Sequence, residues 1–228
     1  HSSLHDALPI SIVQTVASID PVYAAINPAD VSVSIAENDT QEISFALATS
    51  SVGETAGTHA VSARLNLVTN GTPGGTISAD MTANVFLTLG SAEIADLSLA
   101  TTQLTFPAGS AHNSTLPINL TLVNDRLLEG DETGTLSLGL AGGIGSVSGS
   151  HVLTLTDDES GAISFASSGS STSESAGTHT GAQPRLTISG TGTGLLATEA
   201  IVRVAITDAP GSATTPGDYT RSTATVSF

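Results

Sequence analysis

The sequence predicts an all-β protein built as an antiparallel β-sandwich. Short runs in which apolar and polar residues alternate are separated by clusters of Gly, Pro and Asn, which is typical of strands joined by tight turns. No run has the period of an amphipathic helix. Only 3% of the 228 residues are aromatic and none is Trp, so the predicted core consists of Val, Ile, Leu and Ala with a few Phe.

Strand candidates are densest in the central part of the chain. Turn residues such as Asn70-Gly71 and Pro73-Gly74-Gly75 separate them. About seven short strands per repeat indicate an immunoglobulin-like sandwich, in which the connections follow a Greek key. The candidates are Glu42–Ala48, His59–Thr69, Met81–Leu89, Gln103–Phe106, Leu116–Val123, Gly134–Leu140 and His151–Thr156.

The first part of the chain predicts fewer strands. Residues 1 to about 11 match nothing that follows and are interpreted as foreign to the pattern. Ile12, Val13 and Val16 form one strand-like run. The segment Val31–Ile35 alternates strictly between apolar and Ser residues and predicts a half-buried strand, which ends at Glu37-Asn38-Asp39.

Two motifs recur 120 residues apart, which predicts tandem repeats. Ile43-Ser44-Phe45 returns as Ile163-Ser164-Phe165, and Glu54-Thr55-Ala56-Gly57-Thr58-His59 returns as Glu174-Ser175-Ala176-Gly177-Thr178-His179. A period of this length suits modules that each have their own core. We expect a C-terminal remnant of a preceding repeat at 1–39, a complete repeat at 40–159 and the N-terminal part of a third, truncated repeat at 160–228.

The charge of the chain excludes several classes of partner. There are 21 acidic residues against five Arg and no Lys, and the formal net charge is −16. Such a surface repels nucleic acid and anionic membranes and attracts cations. No apolar run approaches the length of a membrane span, and there is no Cys to form a disulfide. We therefore expect no nucleic-acid partner and no membrane insertion in this segment.

Acidic residues cluster directly after several predicted strands. The segment Asn124–Glu132 holds four carboxylates and one amide but only one Arg. Crowded carboxylates repel one another unless a cation lies among them, and Ca²⁺ accepts many oxygen ligands. A solvated acidic turn is the alternative. Further acidic residues, Glu54, Asp96 and Asp157–Glu159, reach the same end of a sandwich only if the connections cross between its sheets.

These residues resemble the Calx-beta family, whose modules occur in the regulatory loop of sodium–calcium exchangers and in large bacterial surface proteins. An E-x-x-G motif lies at Glu54–Gly57 and a G-D-Y motif at Gly217–Tyr219. The family's D-D-x-x-x-E-x-x-E motif corresponds to Asn124–Glu132, and a closing strand ends in Asp157-Asp158. The resemblance covers about residues 40–228, and its strength lies in the order of the motifs because none is specific alone.

The resemblance implies Ca²⁺ bound at one end of the sandwich, beside the following module. Two departures from the family pattern weaken this expectation. Asn124 stands where the family often has Asp, and Ala95-Asp96-Leu97 stands in place of G-D-Y. Glu132 is interpreted either as a ligand or as a residue that solubilises the strand edge. The implied ligands are Glu54, Asp96, Asp125, Glu129, Asp157 and Asp158, with Glu159 as a further candidate.

We expect this chain not to be an enzyme. The sequence has no Gly-x-Ser-x-Gly elbow, phosphate-binding loop or zinc-ligand spacing. His59 and His179 occupy equivalent positions at strand starts, which predicts a repeated structural role.

The expected function is that of a calcium-binding structural and adhesive module in a secreted or cell-surface protein. Its partners would be the neighbouring repeats of the same chain, and the sequence identifies no cell-surface or glycan ligand. The alternative is a metal-free spacer or a carbohydrate-binding accessory module of a secreted enzyme. The scarcity of aromatic residues counts against glycan binding.

Overall fold

The computed structural model describes residues 10–33, 38–195, 197–198, 201–209, 211–213 and 215–228. Ile35 and Glu37 of the predicted N-terminal strand lie outside the described residues, as do residues 1–9. The strands in chain order are β1 Ile10–Ile12, β2 Val31–Val33, β3 Thr40–Phe45, β4 Thr49–Gly53, β5 Thr58–Thr69, β6 Thr72–Pro73, β7 Met81–Leu89, β8 Leu97–Leu99, β9 Gln103–Phe106, β10 Thr115–Leu122, β11 Leu127–Leu128, β12 Glu132–Gly142, β13 Ser146–Ser148, β14 Ser150–Thr156, β15 Ser160–Phe165, β16 Pro184–Ser189, β17 Ala197–Thr198, β18 Arg203–Ala205 and β19 Thr225–Ser227.

Helical structure is confined to three short segments among the described residues. Helix α1, Pro21–Ala24, begins with Asp20 as its N-cap, whose carboxylate accepts from the Val22 N–H at 2.9 Å. The other two are single 3₁₀ turns, Glu54–Ala56 and Glu174–Ala176. No helix in the described part of the chain is long and apolar enough to cross a membrane.

Two sheets form the central β-sandwich. The first has the strand order β13-β3-β5-β10-β8, with β6 paired to β5, and the second has the order β4-β14-β12-β7-β9. Most pairings are antiparallel, but β13 pairs with β3, and β4 with β14, in parallel. The prediction of an all-β sandwich is confirmed, whereas the count of seven strands and the Greek-key path remain predictions.

The predicted strands agree closely with the observed ones in this region. Met81–Leu89 and Gln103–Phe106 have the predicted bounds, and the other five candidates begin or end within three residues of theirs. Strands β4, β8 and β13 were not predicted. Each has five residues or fewer, which is too short for an alternating pattern to identify, so its conformation depends on the strand it pairs with.

The core between the two sheets is aliphatic, as the composition predicts. Inward-facing residues alternate along each strand, as in β5, where Val61, Ala63 and Leu65 are buried and the intervening residues are more exposed. Phe45, Phe106 and Met81 fill the larger spaces. Among the described residues, the buried apolar core lies between Ile43 and Leu155, within the range 40–159 predicted for the complete repeat.

The remaining strands form separate two-stranded sheets. They pair as β1 with β2, β15 with β16, β18 with β19, and β11 with β17. The last pairing is parallel and joins the central sandwich to the segment that follows it. The proposed division at residues 39 and 159 remains a prediction, although β3 and β15 begin at or next to these positions.

Candidate metal centre

Four loops meet at one end of the sandwich. The 3₁₀ turn at Glu54 follows β4, and Asp96 precedes β8. The end of β10 joins these two loops, because the Leu122 N–H donates to the Gly57 carbonyl and the Val123 N–H donates to the Asp96 carbonyl, each at 2.9 Å. The chain passes from β3 in the first sheet to β4 in the second sheet. Strand β4 ends at this end of the sandwich, and Glu54 follows it there.

Asp157 joins the other two loops. Its Oδ2 accepts from the backbone N–H groups of Glu129, at 3.0 Å, and of Gly130, at 2.8 Å. Its Oδ1 accepts from the Glu159 N–H at 2.8 Å. The carboxylate therefore holds the loop after β10 against the loop after β14.

The carboxylates at this end form two groups, each with ligand atoms within 4.8 Å of one another. The first consists of Glu54, Asp158 and Glu159, and the second of Asp96, Glu129 and Glu132. Glu54, Asp96, Glu132 and Glu159 are buried, so these oxygens are largely removed from water. We call the eight acidic residues at this end the acidic tip: Glu54, Asp96, Asp125, Glu129, Glu132, Asp157, Asp158 and Glu159.

Electrostatic repulsion at the acidic tip is strong. Burial raises the pKa of Glu54 to about 7, and the charges of Asp157, Glu159, Asp125 and Asp96 act in the same direction. Burial also raises the pKa of Asp96, with an opposing hydrogen bond from the Glu93 N–H at 3.0 Å. Carboxyl groups with raised pKa values are held in a surrounding that disfavours their charge.

Glu159 is the least well accommodated carboxylate of the tip. It is 8% exposed, and neither of its carboxylate oxygens receives a hydrogen bond. Burial is the main cause that raises its pKa to about 7. The hydrogen bond that the protonated group makes with Asp157, and the charges of Asp158, Asp157 and Asp125, raise the pKa further. A buried, ionised group without a donor costs several kcal/mol, and a bound cation would remove that cost.

Asp157 has the opposite character. Burial disfavours its charge, but the backbone hydrogen bonds from Gly130, Glu159 and Glu129 outweigh burial and lower its pKa. Three of its lone-pair positions are already used. Asp125 likewise accepts from the Leu127 N–H at 2.8 Å. These two residues order the loops, and each retains capacity for a further contact.

A segment from the following part of the chain lies on the acidic tip. We call residues 190–195 with 197–198 the junction segment. The Thr191 hydroxyl donates to Asp158 Oδ2 at 2.7 Å, and the Thr193 N–H donates to the Asn124 carbonyl at 3.2 Å. Gly190 packs so closely that a Cβ there would overlap the Glu159 carboxylate.

The structure brings all six sequence-predicted ligands to one end. Glu54 and Asp158 lie in the first carboxylate group, and Asp96 and Glu129 lie in the second, while Asp125 and Asp157 lie in neither. Glu159 and Glu132, which the sequence offers only as further candidates, complete the two groups. Thr191 was not predicted, and its sequence surroundings carry no motif that would have identified it.

The donor set fits Ca²⁺. All side-chain ligands at the tip are carboxylate oxygens, which Ca²⁺ takes in sixfold to eightfold coordination, and none is a thiolate or imidazole. The ionised Glu159 carboxylate accepts no hydrogen bond, so both of its oxygens remain available as acceptors for a cation. The Asn124 amide, oriented to satisfy both its atoms, donates to Asp158 Oδ1 at 2.9 Å, so it supports a ligand and does not replace the missing carboxylate.

Comparison with known proteins gives partial structural similarity only. No protein-family model matches the chain, and no curated protein matches it. The apo-form Calx CBD1 domain is 19% identical over 52% of this chain and 98% of its own, with a TM-score of 0.42. The Calx CBD2 domain is 11% identical over 54% of this chain and 91% of its own, with a TM-score of 0.41.

A third similar structure, the calcium-binding domain CBD12 of CALX1.1, is 21% identical with a TM-score of 0.41. The match covers 55% of this chain and 50% of that structure. At these identities and TM-scores the similarity identifies no function. What the comparisons give is a similarity, over about half of this chain, to structures described as Calx CBD domains.

Proposed function

We propose that this chain is a calcium-binding structural segment of a multidomain extracellular protein. Ca²⁺ bound at the acidic tip would stabilise one end of the central sandwich and its junction with the following repeat. The observation that carries the proposal is the pair of three-carboxylate groups, in which the pKa values of the buried Glu54, Asp96 and Glu159 are raised and Glu159 accepts no hydrogen bond.

The first step of the argument is electrostatic. Six carboxylates within two adjoining groups repel one another, and their interactions with the remaining acidic residues add to that repulsion. Without a cation, folding must either protonate some of them or accept the cost of burying charge. A divalent cation supplies charge where the carboxylates converge, so it binds the folded chain and not the unfolded one, and thereby stabilises the fold.

The second step concerns the junction segment. Asp158, a member of the first carboxylate group, accepts from the Thr191 hydroxyl and from the Thr191 N–H. Glu159, in the same group, lies against Gly190. A cation that fixes these two carboxylates also fixes the surface on which the junction segment rests. The proposal thus includes a calcium-dependent restraint on the junction segment. It also includes an adhesive role for the parent protein.

The test is the melting temperature of the chain in EDTA and in millimolar CaCl₂. At a free Ca²⁺ concentration about a hundred times the Kd, binding adds about 2.7 kcal/mol to the free energy of unfolding. We expect a melting temperature several degrees higher in Ca²⁺, measured by circular dichroism. Isothermal titration calorimetry with CaCl₂ should give saturable binding under the same conditions.

Two variants distinguish a carboxylate that binds Ca²⁺ from a nearby carboxylate that does not. Glu129→Gln should lose most of the Ca²⁺-dependent increase in melting temperature, because its carboxylate belongs to the second group. Asp131→Asn is the matched control, since Asp131 lies in the same loop but is exposed and in neither group. An identical melting temperature in EDTA and CaCl₂ would contradict the proposal and leave a metal-free spacer as the interpretation.

A further inference from the structure

A second polar cluster lies on the sandwich, formed by Ser50 on β4, His59 on β5 and His151 on β14. The Ser50 Oγ lies 3.1 Å from His59 Nε2 and 2.8 Å from His151 Nε2. His151 is 1% exposed, while Ser50 and His59 are half-buried. Two imidazoles from different sheets thus meet at one hydroxyl.

The hydrogen bonds fix the tautomer of His151. Its Nδ1 lies 2.8 Å from the Leu47 carbonyl oxygen, which can only accept, so Nδ1 carries the proton. In the neutral ring, Nε2 then holds a lone pair that points at Ser50. A histidine whose Nδ1–H is held by a backbone carbonyl is oriented as metal-binding histidines usually are.

We propose that His59 Nε2 and His151 Nε2 form a binding site for a borderline-soft divalent cation of the Zn²⁺ class, with Ser50 and water completing the coordination. Such cations prefer imidazole nitrogen, whereas Ca²⁺ prefers oxygen. A bound ion would join β5 of the first sheet to β14 of the second. This site shares no ligand with the acidic tip, so the inference does not rest on the proposed calcium function.

The His59 ring is suited to act as a ligand at neutral pH. Burial, followed by the charge of His151, lowers the pKa of His59, so its imidazole is neutral and its nitrogens are available. In the free protein, His59 Nε2 carries the proton that it donates to Ser50 Oγ. When Zn²⁺ binds Nε2, that proton moves to Nδ1 of the same ring, which stays neutral. The strongly acidic chain, with its net charge of −16, raises the local concentration of cations.

A cavity of about 200 Å³ adjoins the three side chains and provides the space that coordination needs. Ala46, Leu47, Ala60, Val61 and Ser62 complete its lining. Glu54 lies four positions after Ser50 along an extended segment of the chain, so Ser50 and the cavity lie roughly 13 Å from the acidic tip. The two sites are therefore too far apart for one residue to bind an ion at both.

The chain contains its own control for this site. Ser170 and His179 stand 120 residues after Ser50 and His59, and Ser170 Oγ lies 3.1 Å from His179 Nε2. The hydrogen bonds of the described residues bring no second imidazole to Ser170. This pair has the same local geometry with one nitrogen ligand, so it should not bind the ion appreciably.

The experiment is isothermal titration calorimetry of the whole chain with ZnCl₂, in saturating CaCl₂ to occupy the acidic tip. We expect one Zn²⁺ site whose Kd rises by roughly tenfold or more in His59→Gln, since a two-imidazole site loses half of its nitrogen ligands. His179→Gln should bind like the unchanged chain. His59→Gln is the primary variant because His151 is fully buried and its replacement threatens folding.

Three outcomes decide the proposal. A loss of Zn²⁺ affinity in His59→Gln, with His179→Gln unchanged, supports it. Absence of Zn²⁺ binding in the unchanged chain, or equal binding in His59→Gln, overturns it. Binding that falls in Glu159→Gln but not in His59→Gln also overturns it, because it places Zn²⁺ at the acidic tip. If Ca²⁺ does not occupy the acidic tip, Zn²⁺ bound there is recognised by its loss in Glu159→Gln, so failure of the calcium proposal and failure of the histidine site remain distinguishable.

Discussion

The regions 40–156 and 160–228 carry the same motifs 120 residues apart, yet the structure gives them different surroundings. Ile43 is 0% exposed and Phe45 8%, whereas the equivalent Ile163 is 42% exposed and Phe165 57%. In the first region these side chains face a second sheet. In the second they lie on a two-stranded sheet, β15–β16, beside a shallow cavity lined also by Val204 and Ile206.

Local structure is nevertheless the same in both regions. Each has a 3₁₀ turn at the E-x-x-G motif, Glu54–Ala56 and Glu174–Ala176. Each also has a Ser–His contact of 3.1 Å. The motif therefore determines its own backbone and its short-range hydrogen bond, while burial and charge coupling depend on the strands that pack against it. Glu54 is buried and Glu174 is exposed for this reason.

The largest expected contrast between the regions is in core packing. Ile43→Ala should lower the free energy of unfolding by roughly 2–5 kcal/mol, because a fully buried side chain leaves a cavity when it is shortened. Ile163→Ala, the matched control, should cost less than about 1 kcal/mol since much of the side chain is already exposed. Urea unfolding followed by circular dichroism measures both. Equal costs would show that region 160–228 has a closed core in solution.

The next contrast concerns pH. The pKa values of Glu54 and Glu159 are raised from 4.5 to about 7 in the folded state, so the folded chain binds protons more tightly than the unfolded one. Their contribution to stability is fully present below pH 4.5 and is lost as the pH rises through 7. The lowered pKa of Asp157 acts in the opposite sense, and its contribution is lost on acidification below its usual value of 3.8.

We therefore expect the Ca²⁺-free chain to be most stable near pH 4.5 and to lose up to roughly 5 kcal/mol between pH 5 and pH 8, about half of it from each of the two groups. Melting curves in EDTA across this range measure the loss. Saturating Ca²⁺ should flatten the dependence, because the cation takes the place of the protons. Stability that rises with pH in EDTA would contradict the repulsion inferred at the acidic tip.

The fold was predictable from sequence because its signals are local. Alternating runs gave Met81–Leu89 and Gln103–Phe106 their observed bounds, and the Asn70-Gly71 turn adopts positive φ at both residues, as a tight hairpin requires. Strands β4 and β8 are too short to show such a pattern clearly and were missed. Their positions depend on pairing with distant strands, which one sequence does not reveal.

The sequence predicted where the acidic tip lies, but it did not predict what each carboxylate does there. Acidic residues after strands identified the loops, and a sandwich gathers loops at its ends. Asp157 and Glu159 differ by two positions, yet one accepts three backbone hydrogen bonds and the other accepts none. That difference arises from the path of the backbone around residues 129–130, which residue types alone do not specify.

A third contrast uses the equivalent glutamates. In EDTA at pH 8, Glu54→Gln should raise the free energy of unfolding by roughly 1–2 kcal/mol, because it removes a buried charge that four neighbouring carboxylates repel. Glu174→Gln should change it by less than about 0.5 kcal/mol, since Glu174 is exposed. Urea titration in EDTA measures both values. Destabilisation by Glu54→Gln would indicate that its charge is already compensated.

The smallest expected effect is at the junction between the two regions, and it is local. A Cβ at Gly192 would overlap the backbone carbonyl oxygens of Asp125 and Asn124, which cannot rotate aside as a side chain can, so Gly192→Ala should displace the junction segment from the acidic tip. The Thr193 N–H bonds the Asn124 carbonyl and the Ala197 N–H bonds the Arg126 carbonyl, and both amides should exchange faster with deuterium in the variant.

Global stability should change by less than about 1 kcal/mol in Gly192→Ala, because the core between residues 43 and 155 is untouched. Gly181→Ala is the matched control, since a Cβ there meets nothing within 4 Å. Unchanged exchange at Thr193 and Ala197 in Gly192→Ala would mean that the segment does not rest on the Asn124–Asp125 backbone in solution. The acidic tip would then lie open to solvent, and Ca²⁺ bound there would stabilise the sandwich without restraining the region that follows it.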